Sequence, residues 1–193
     1  MSRLSPARRE ELPNEQQKAY DELDDLATKG FGDAFIYKQP DGAFVGPFPF
    51  LIAAPEAGIQ MLETVGKVAG IPGLPQNARE TAILATGAHY KAAYELYAHS
   101  NVATKSTDLN VQQVWQICDG KKPANLDEKC EIAYDVATYL SSTPGPLPQT
   151  LWKRAVRALG KDGTIALVHY VGLYAYTCII LNAVDAPVPE GSN

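Results

Sequence analysis

Glu95 and His99 stand four residues apart, a spacing that on a helix stacks two side chains on one face. A carboxylate so placed orients an imidazole and stabilises its protonated form, as a general acid or base requires. The same spacing also occurs in ordinary surface pairs that contribute little to stability. The surroundings favour chemistry: Ala92, Ala93, Leu96 and Ala98 are small and apolar, and a charged pair among them needs a reason. A second carboxylate, Glu80, lies just upstream in Arg79-Glu80-Thr81-Ala82-Ile83-Leu84-Ala85, so one apolar helical segment holds nearly all the unexplained ionisable groups.

The other candidates for chemistry are weaker. His89 precedes Tyr90 and Lys91 near a possible helix break, where it caps the helix or is exposed. His169 falls in an apolar final helix, where a hydrogen-bonded structural histidine is expected, with a pocket-facing role left open. The three histidines lack metal-ligand spacing, so no metal and no cofactor is expected. Cys118, Cys130 and Cys178 are widely separated in apolar patterns and read as small buried hydrophobes, neither a disulfide framework nor a zinc site.

The elements that must position these groups are helical. A first helix is expected from about Asn14 to Lys29, with Asn14 as N-cap after Pro13 and Gly30 as the stop. Its acidic residues, Glu15, Asp21, Glu22, Asp24 and Asp25, should mostly face water. From about 31 to 55 the chain turns to glycine, proline and aromatics, which predicts an ordered loop whose rings, Phe48 among them, pack the core or line a pocket. Amphipathic spacing of Ile59, Leu62, Val65 and Val68 places a helix over Glu56 to Ala69. The central segment, Asn77 to Ala103, reads as one long helix or as two broken near Gly87 to Tyr90. Further helices follow over Thr107 to Cys118, Asp127 to Ser141 and Leu151 to Leu159. The last, Thr164 to Val184, is apolar on nearly every side and therefore expected to be buried. Strand signals are nearly absent. The fold class is all-α, a bundle of short antiparallel helices around a buried C-terminal helix.

At 193 residues the chain suits a single domain, 1–193, with an N-terminal helical extension over about 1–30. Net charge is -5 and the basic residues are scattered, which argues against nucleic acid as a partner. No apolar run approaches the roughly 20 residues that span a bilayer, and no secretory leader pattern opens the chain, so a cytoplasmic protein with no membrane partner is expected. The apolar content of Leu51 to Val68 looks hard to bury in one chain, which predicts a homo-oligomer.

Arg79-Glu80 opening an Ala/Ile/Leu helix, Tyr94-Glu95 followed by His99, and a late Gly172-Leu173-Tyr174 helix ending Leu181-Asn182-Ala183 together resemble the carboxymuconolactone decarboxylase and alkylhydroperoxidase D superfamily. The resemblance covers roughly residues 44 to 187. It implies an all-helical fold that usually assembles as trimers or hexamers, with the active site on the central helical pair; the homo-oligomer expected from composition leaves a dimer open as well. The peroxidase branch carries a glutamate, eleven residues, Cys-x-x-Cys, three residues and a histidine. With His99 as that histidine, the glutamate falls on Glu80 and the cysteines on Ala92 and Glu95. Neither Ala nor Glu can attack a peroxide or resolve the product, so an alkylhydroperoxidase-like redox role is disfavoured.

What remains of the motif is its proton-handling half, Glu80, Glu95 and His99, which suits the decarboxylase branch. The resemblance then implies a cofactor-independent lyase or a proton-transferring isomerase, acting on a small cyclic or unsaturated carboxylic acid, lactone or related metabolite. His99 is the candidate acid/base, Glu95 its orienting partner and Glu80 a second relay. Tyr94, Tyr174 and Asn182 are candidates for hydrogen-bonding the substrate, with Phe48 and His169 as further pocket residues. A non-catalytic oligomeric scaffold is the remaining alternative.

Overall fold

The computed structural model describes residues 2–192. Among them a 3-10 turn at Arg9–Glu11 precedes eight α-helices: α1 (Asn14–Phe31), α2 (Phe48–Ala53), α3 (Pro55–Ala69), α4 (Gln76–Tyr90), α5 (Ala93–Ser106), α6 (Val111–Cys118), α7 (Glu128–Ser142) and α8 (Gln149–Val184). The all-α expectation holds.

Two hydrophobic clusters organise the helices. The larger joins α4, α7 and α8, where Ala78, Ala82, Ala85, Ala133 and Ala137 let the helices approach closely. Leu84, Ile132 and Leu167 are fully buried within it, each contributing roughly 1.5–3 kcal/mol relative to exposure. The second cluster gathers α1, α2 and α3 around Tyr20, Leu23, Phe44, Phe48 and Ile52. Its rings stack: Tyr20 lies 4.0 Å from Phe44, and Phe44 lies 5.0 Å from Phe48.

The aromatic segment expected as a loop therefore also carries a helix. α2 starts with Pro49 in its first turn, where the missing donor costs nothing. Ahead of it, Ala7 and Phe44 exchange backbone hydrogen bonds of 3.1 and 2.9 Å, which ties the N-terminal segment to this cluster. That segment also reaches the end of α8, where the Arg3 backbone N–H donates to the Val184 carbonyl at 2.7 Å and supplies a partner to a helix terminus.

Other boundaries differ locally. Asn14 is the first helical residue rather than a side-chain cap, and α1 runs through Gly30 to stop at Gly32, which adopts φ 55°. α6 begins at Val111, later than expected, because Asn110 and Gln113 form a reciprocal capping box there. The gap expected between Leu159 and Thr164 shrinks to one kinked residue inside α8: Gly160 takes φ 73°, a conformation open to a residue without Cβ.

α8 is not buried all round. Ile165, Val168, Tyr176 and Ile179 are exposed along one face. By length and composition alone this helix is apolar enough to cross a bilayer, contrary to the sequence reading, but 56% of its most apolar window is buried inside the fold, as befits a core helix.

The central segment is broken, one residue beyond the expected window. Lys91 adopts the left-handed conformation, its N–H donates to the Ala88 carbonyl, and the Ala92 N–H reaches Gly87. This turn folds α5 back along α4 and creates the site.

Candidate active site

The α4–α5 hairpin sets His99 between two carboxylates. Nδ1 lies 2.7 Å from Glu80 Oε2 in a hydrogen bond, and Nε2 lies 3.2 Å from Glu95 Oε1. Glu80, Glu95 and His99 are 1%, 4% and 6% exposed, so all three ionisable groups have left water. The Glu95 contact is close but poorly aligned, and Oε1 makes no hydrogen bond. The partner that orients the imidazole is thus Glu80 rather than Glu95, a correction to the roles read from sequence. Helical spacing placed Glu95 on the right face, but the hairpin delivers the better-aligned carboxylate from the neighbouring helix.

Arg79 completes the charge chain. Its Nε donates to Glu80 Oε1 at 3.2 Å, so the two Glu80 oxygens are divided between a guanidinium and an imidazole. Its Cζ lies over the Tyr170 ring, 5.7 Å from the centroid. Tyr170 stacks on Tyr174 at 5.9 Å, and Tyr174 meets His99 edge-on at 4.8 Å.

Electrostatics follow from burial and charge. Burial pushes the Glu95 carboxyl up to about 7, with the Glu80 charge adding to the rise and His99 opposing it. For His99, burial disfavours the charged form, but the Glu80 and Glu95 carboxylates outweigh it and raise the imidazole above its ordinary value. The net result is an imidazolium that persists toward neutral pH beside a carboxyl that titrates there, a pairing suited to proton transfer. Burial also holds the Tyr94 and Tyr174 hydroxyls protonated well beyond the usual range.

His99 stands in the wall between two cavities. On one side is an outer cleft of about 570 Å³ lined by Arg79, Glu80, Tyr170 and Tyr174. On the other is an apolar inner chamber of about 50 Å³, lined by Phe35, Phe48, Tyr94 and Glu95. His99 and Tyr174 line both. Another cleft, about 480 Å³ near Asp33 to Lys38, includes no histidine. No cysteine among the described residues lines the outer cleft or the chamber. Among the same residues no three His, Cys, Asp or Glu side chains gather as a metal site. Glu80 and Glu95 contact opposite nitrogens of one ring.

Of the residues singled out from sequence, Glu80, Glu95, His99, Tyr94, Phe48 and Tyr174 converge here. Tyr94 is committed structurally, its hydroxyl donating to the Ile36 carbonyl at 2.8 Å. Two expected residues do not converge. Asn182 is exposed, and its amide donates to the Tyr90 carbonyl at 2.7 Å, tying the end of α8 to the end of α4. His169 is exposed in a separate groove beside Trp152 and Val168, so it is not the buried histidine expected. His89, too, is exposed.

Sequence reading missed the roles of Arg79 and Tyr170. The i,i+4 spacing of Tyr170 and Tyr174 was a usable signal for one continuous aromatic face. Phe35, which lines the chamber, belongs to the aromatic segment whose rings are expected to pack the core or line a pocket, but nothing local singles it out within that segment.

No protein-family model matches the chain, and comparison with curated proteins finds no match. Solved structures do match. The apo debrominase Bmp8 aligns with a TM-score of 0.71 at 12% identity, over 97% of this chain and 92% of that one. Its C82A variant, in complex with 2,3,4-tribromopyrrole, aligns with a TM-score of 0.70 at 13% identity, over 97% and 91%. An alkylhydroperoxidase AhpD core, an uncharacterised peroxidase-related protein from Ralstonia eutropha JMP134, aligns with a TM-score of 0.75 at 14% identity, over 98% and 93%. At these identities the likeness establishes architecture, and the chain has the alkylhydroperoxidase D-like helical fold that its motifs resemble.

Proposed function

We propose that the chain is a cofactor-independent acid–base enzyme, a decarboxylase-type lyase or a proton-transferring isomerase acting on a small cyclic or unsaturated carboxylic acid, lactone or related metabolite. The observation that carries this reading is His99, held between Glu80 and Glu95 in the wall of a cleft large enough for such a molecule. In a decarboxylation the electron pair of the breaking C–CO2 bond passes into a conjugated carbonyl, forming an enolate. The His99 imidazolium then returns a proton to carbon and is recharged from solvent through the outer cleft. An isomerase uses the same groups from the other protonation state, with the neutral form of His99 first removing a proton from carbon and the resulting imidazolium returning it at another carbon. The fold neighbours include a debrominase and a peroxidase-related protein, and a scaffold that hosts such proteins is compatible with catalysis.

Thiol chemistry has less support. The motif positions hold Ala92 and Glu95, and burial pushes the Cys118 and Cys130 thiols up to about 11 and about 12 and the Cys178 thiol higher still. We further propose a homo-oligomer, with the exposed apolar face of α8 as its contact surface. Ile165, Val168, Tyr176 and Ile179 recur there at helical spacing around Gly172, which leaves room for a second copy of the same helix to approach.

The experiment is incubation with a panel of cyclic and unsaturated carboxylic acids in deuterated water, followed by NMR. The expected result is carbon-bound deuterium in substrate or product, slowed by roughly 10²- to 10⁴-fold in His99→Gln. Turnover that is indifferent to His99 and dependent on an added thiol contradicts the reading.

A further inference from the structure

We propose that Arg79, Tyr170 and Tyr174 form a receptor for a small, flat organic carboxylate, bound in the outer cleft with its anionic end at Arg79 and its ring or conjugated body directed to His99. The inference rests on the acid–base reading of His99 and adds which residues hold the carboxylate and the ring, and where.

The four side chains form a continuous shelf. The Arg79 guanidinium lies over Tyr170, Tyr170 stacks on Tyr174 with an interplanar angle of 24°, and Tyr174 ends edge-on against His99. A flat molecule lying against this shelf gains offset or edge contacts with the rings. Its far end then arrives at the imidazole.

The charged end of the shelf is only partly used. Arg79 donates to Glu80 through Nε alone, and neither Nη group donates to a carboxylate among the described residues. The side chain keeps a quarter of its surface exposed, and it lines the cleft. A guanidinium whose Nη groups meet the Tyr170 side chain but no carboxylate, set in a half-buried wall, suits the oxygens of an incoming carboxylate.

Charge balance points the same way. Arg79 and Glu80 cancel, a protonated His99 adds one positive charge, and Glu95 sits on the inner side, its carboxyl largely protonated below neutrality. Lys29 adds further positive charge at the cleft wall, whereas Lys67 is paired at 3.5 Å with Glu63, which lines the cleft too. The inner chamber, at about 50 Å³, is too small for the molecule, so the body of the ligand stays in the outer cleft.

Titration calorimetry on the intact chain with benzoate, benzamide and acetate tests this. Benzamide keeps the shape without the charge, and acetate keeps the charge without the ring. Benzoate is expected to bind the wild type at least about tenfold more tightly than either. Arg79→Met and Arg79→Gln should bring benzoate down to the benzamide level, and Arg79→Lys should retain part of the preference. A preference that survives in folded Arg79→Met and Arg79→Gln overturns the proposal, as does failure of benzoate to bind the wild type at millimolar concentration. If the Arg79 variants lose their circular dichroism signal, Tyr170→Leu decides: a loss of about threefold or more for benzoate with acetate unchanged is expected, and unchanged benzoate overturns the shelf. Binding is read without turnover, so an inactive chain leaves this result standing. A failed binding result likewise leaves the proton-transfer reading of His99 to its own test.

Discussion

Glu80 and His99 are separated by 19 positions in sequence and by 2.7 Å in space. On one unbroken helix the same two residues would lie about 28 Å apart, at 1.5 Å per residue. The left-handed Lys91 and the extended Ala92 reverse the chain between them, so the pair depends on a turn that carries no catalytic group itself. Once formed, the contact joins a buried acceptor to a buried donor, so removing one partner leaves the other unsatisfied away from water and costs more than breaking an exposed pair.

That geometry ranks the two glutamates. Glu80→Gln removes the charge that accepts from Nδ1, so it is expected to lower turnover by roughly 10- to 100-fold, the range for a lost hydrogen bond to a charged group. Glu95→Gln, whose Oε1 accepts no hydrogen bond, should cost less. Kinetics of the two variants on one substrate check the order, and a larger loss for Glu95→Gln would return the orienting role to that residue.

Glu95 also makes a stability prediction. Its carboxyl is raised to about 7 in the folded state, above its ordinary value, so between those two points the folded chain binds more protons than the unfolded chain. Stability from this group is therefore full at low pH and falls as pH rises through about 7. Glu95→Gln removes the titration, so the variant should gain on the wild type between about pH 5 and about pH 8, by on the order of 2–3 kcal/mol. Urea denaturation at the two pH values measures it. A constant difference would mean that Glu95 is ionised throughout.

Much of this architecture is legible in the sequence because amphipathic period and Gly/Pro punctuation are local signals. Pro144 to Pro148 separates α7 from α8 as expected, and the 3.6-residue pattern of Ile59 to Val68 becomes α3. Glu95 and His99 are recognisable for the same reason, since i,i+4 spacing is a property of one helix. Glu80 was placed as a relay through the motif, but its direct bond to His99 depends on a turn in which Lys91, not glycine, takes the left-handed position. His169 and Asn182 failed for the opposite reason: an apolar helix does not announce which of its faces is covered, and both lie on exposed stretches of α8.

Gly46 offers a test of how the aromatic segment supports the site. It adopts φ 65°, and a Cβ placed there would run into the Tyr94 ring. Gly46→Ala is expected to cost roughly 2 kcal/mol or more, from backbone strain and displacement of that ring. Thermal denaturation checks it, and an unchanged midpoint would mean that the loop moves independently of Tyr94.

The oligomer proposal is tested by sedimentation. A species larger than one chain is expected at micromolar concentration, and Ile179→Glu, which puts a charge on the exposed face of α8, should shift it toward the monomer. A wild-type monomer would contradict the proposal, and an oligomer unmoved by the substitution would place the contact elsewhere.

The central claim, that His99 is a proton donor held charged by the carboxylates on either side, is tested most directly by NMR titration of the imidazole nitrogens. The chain has three histidines, and substitution of exposed His89 and His169 leaves one signal to follow. The account predicts an imidazolium that titrates above the ordinary histidine value of about 6.5 and moves downward in Glu80→Gln, because the removed carboxylate is the largest of the raising influences. A neutral imidazole already at about pH 6, or one whose titration is indifferent to Glu80→Gln, would contradict it.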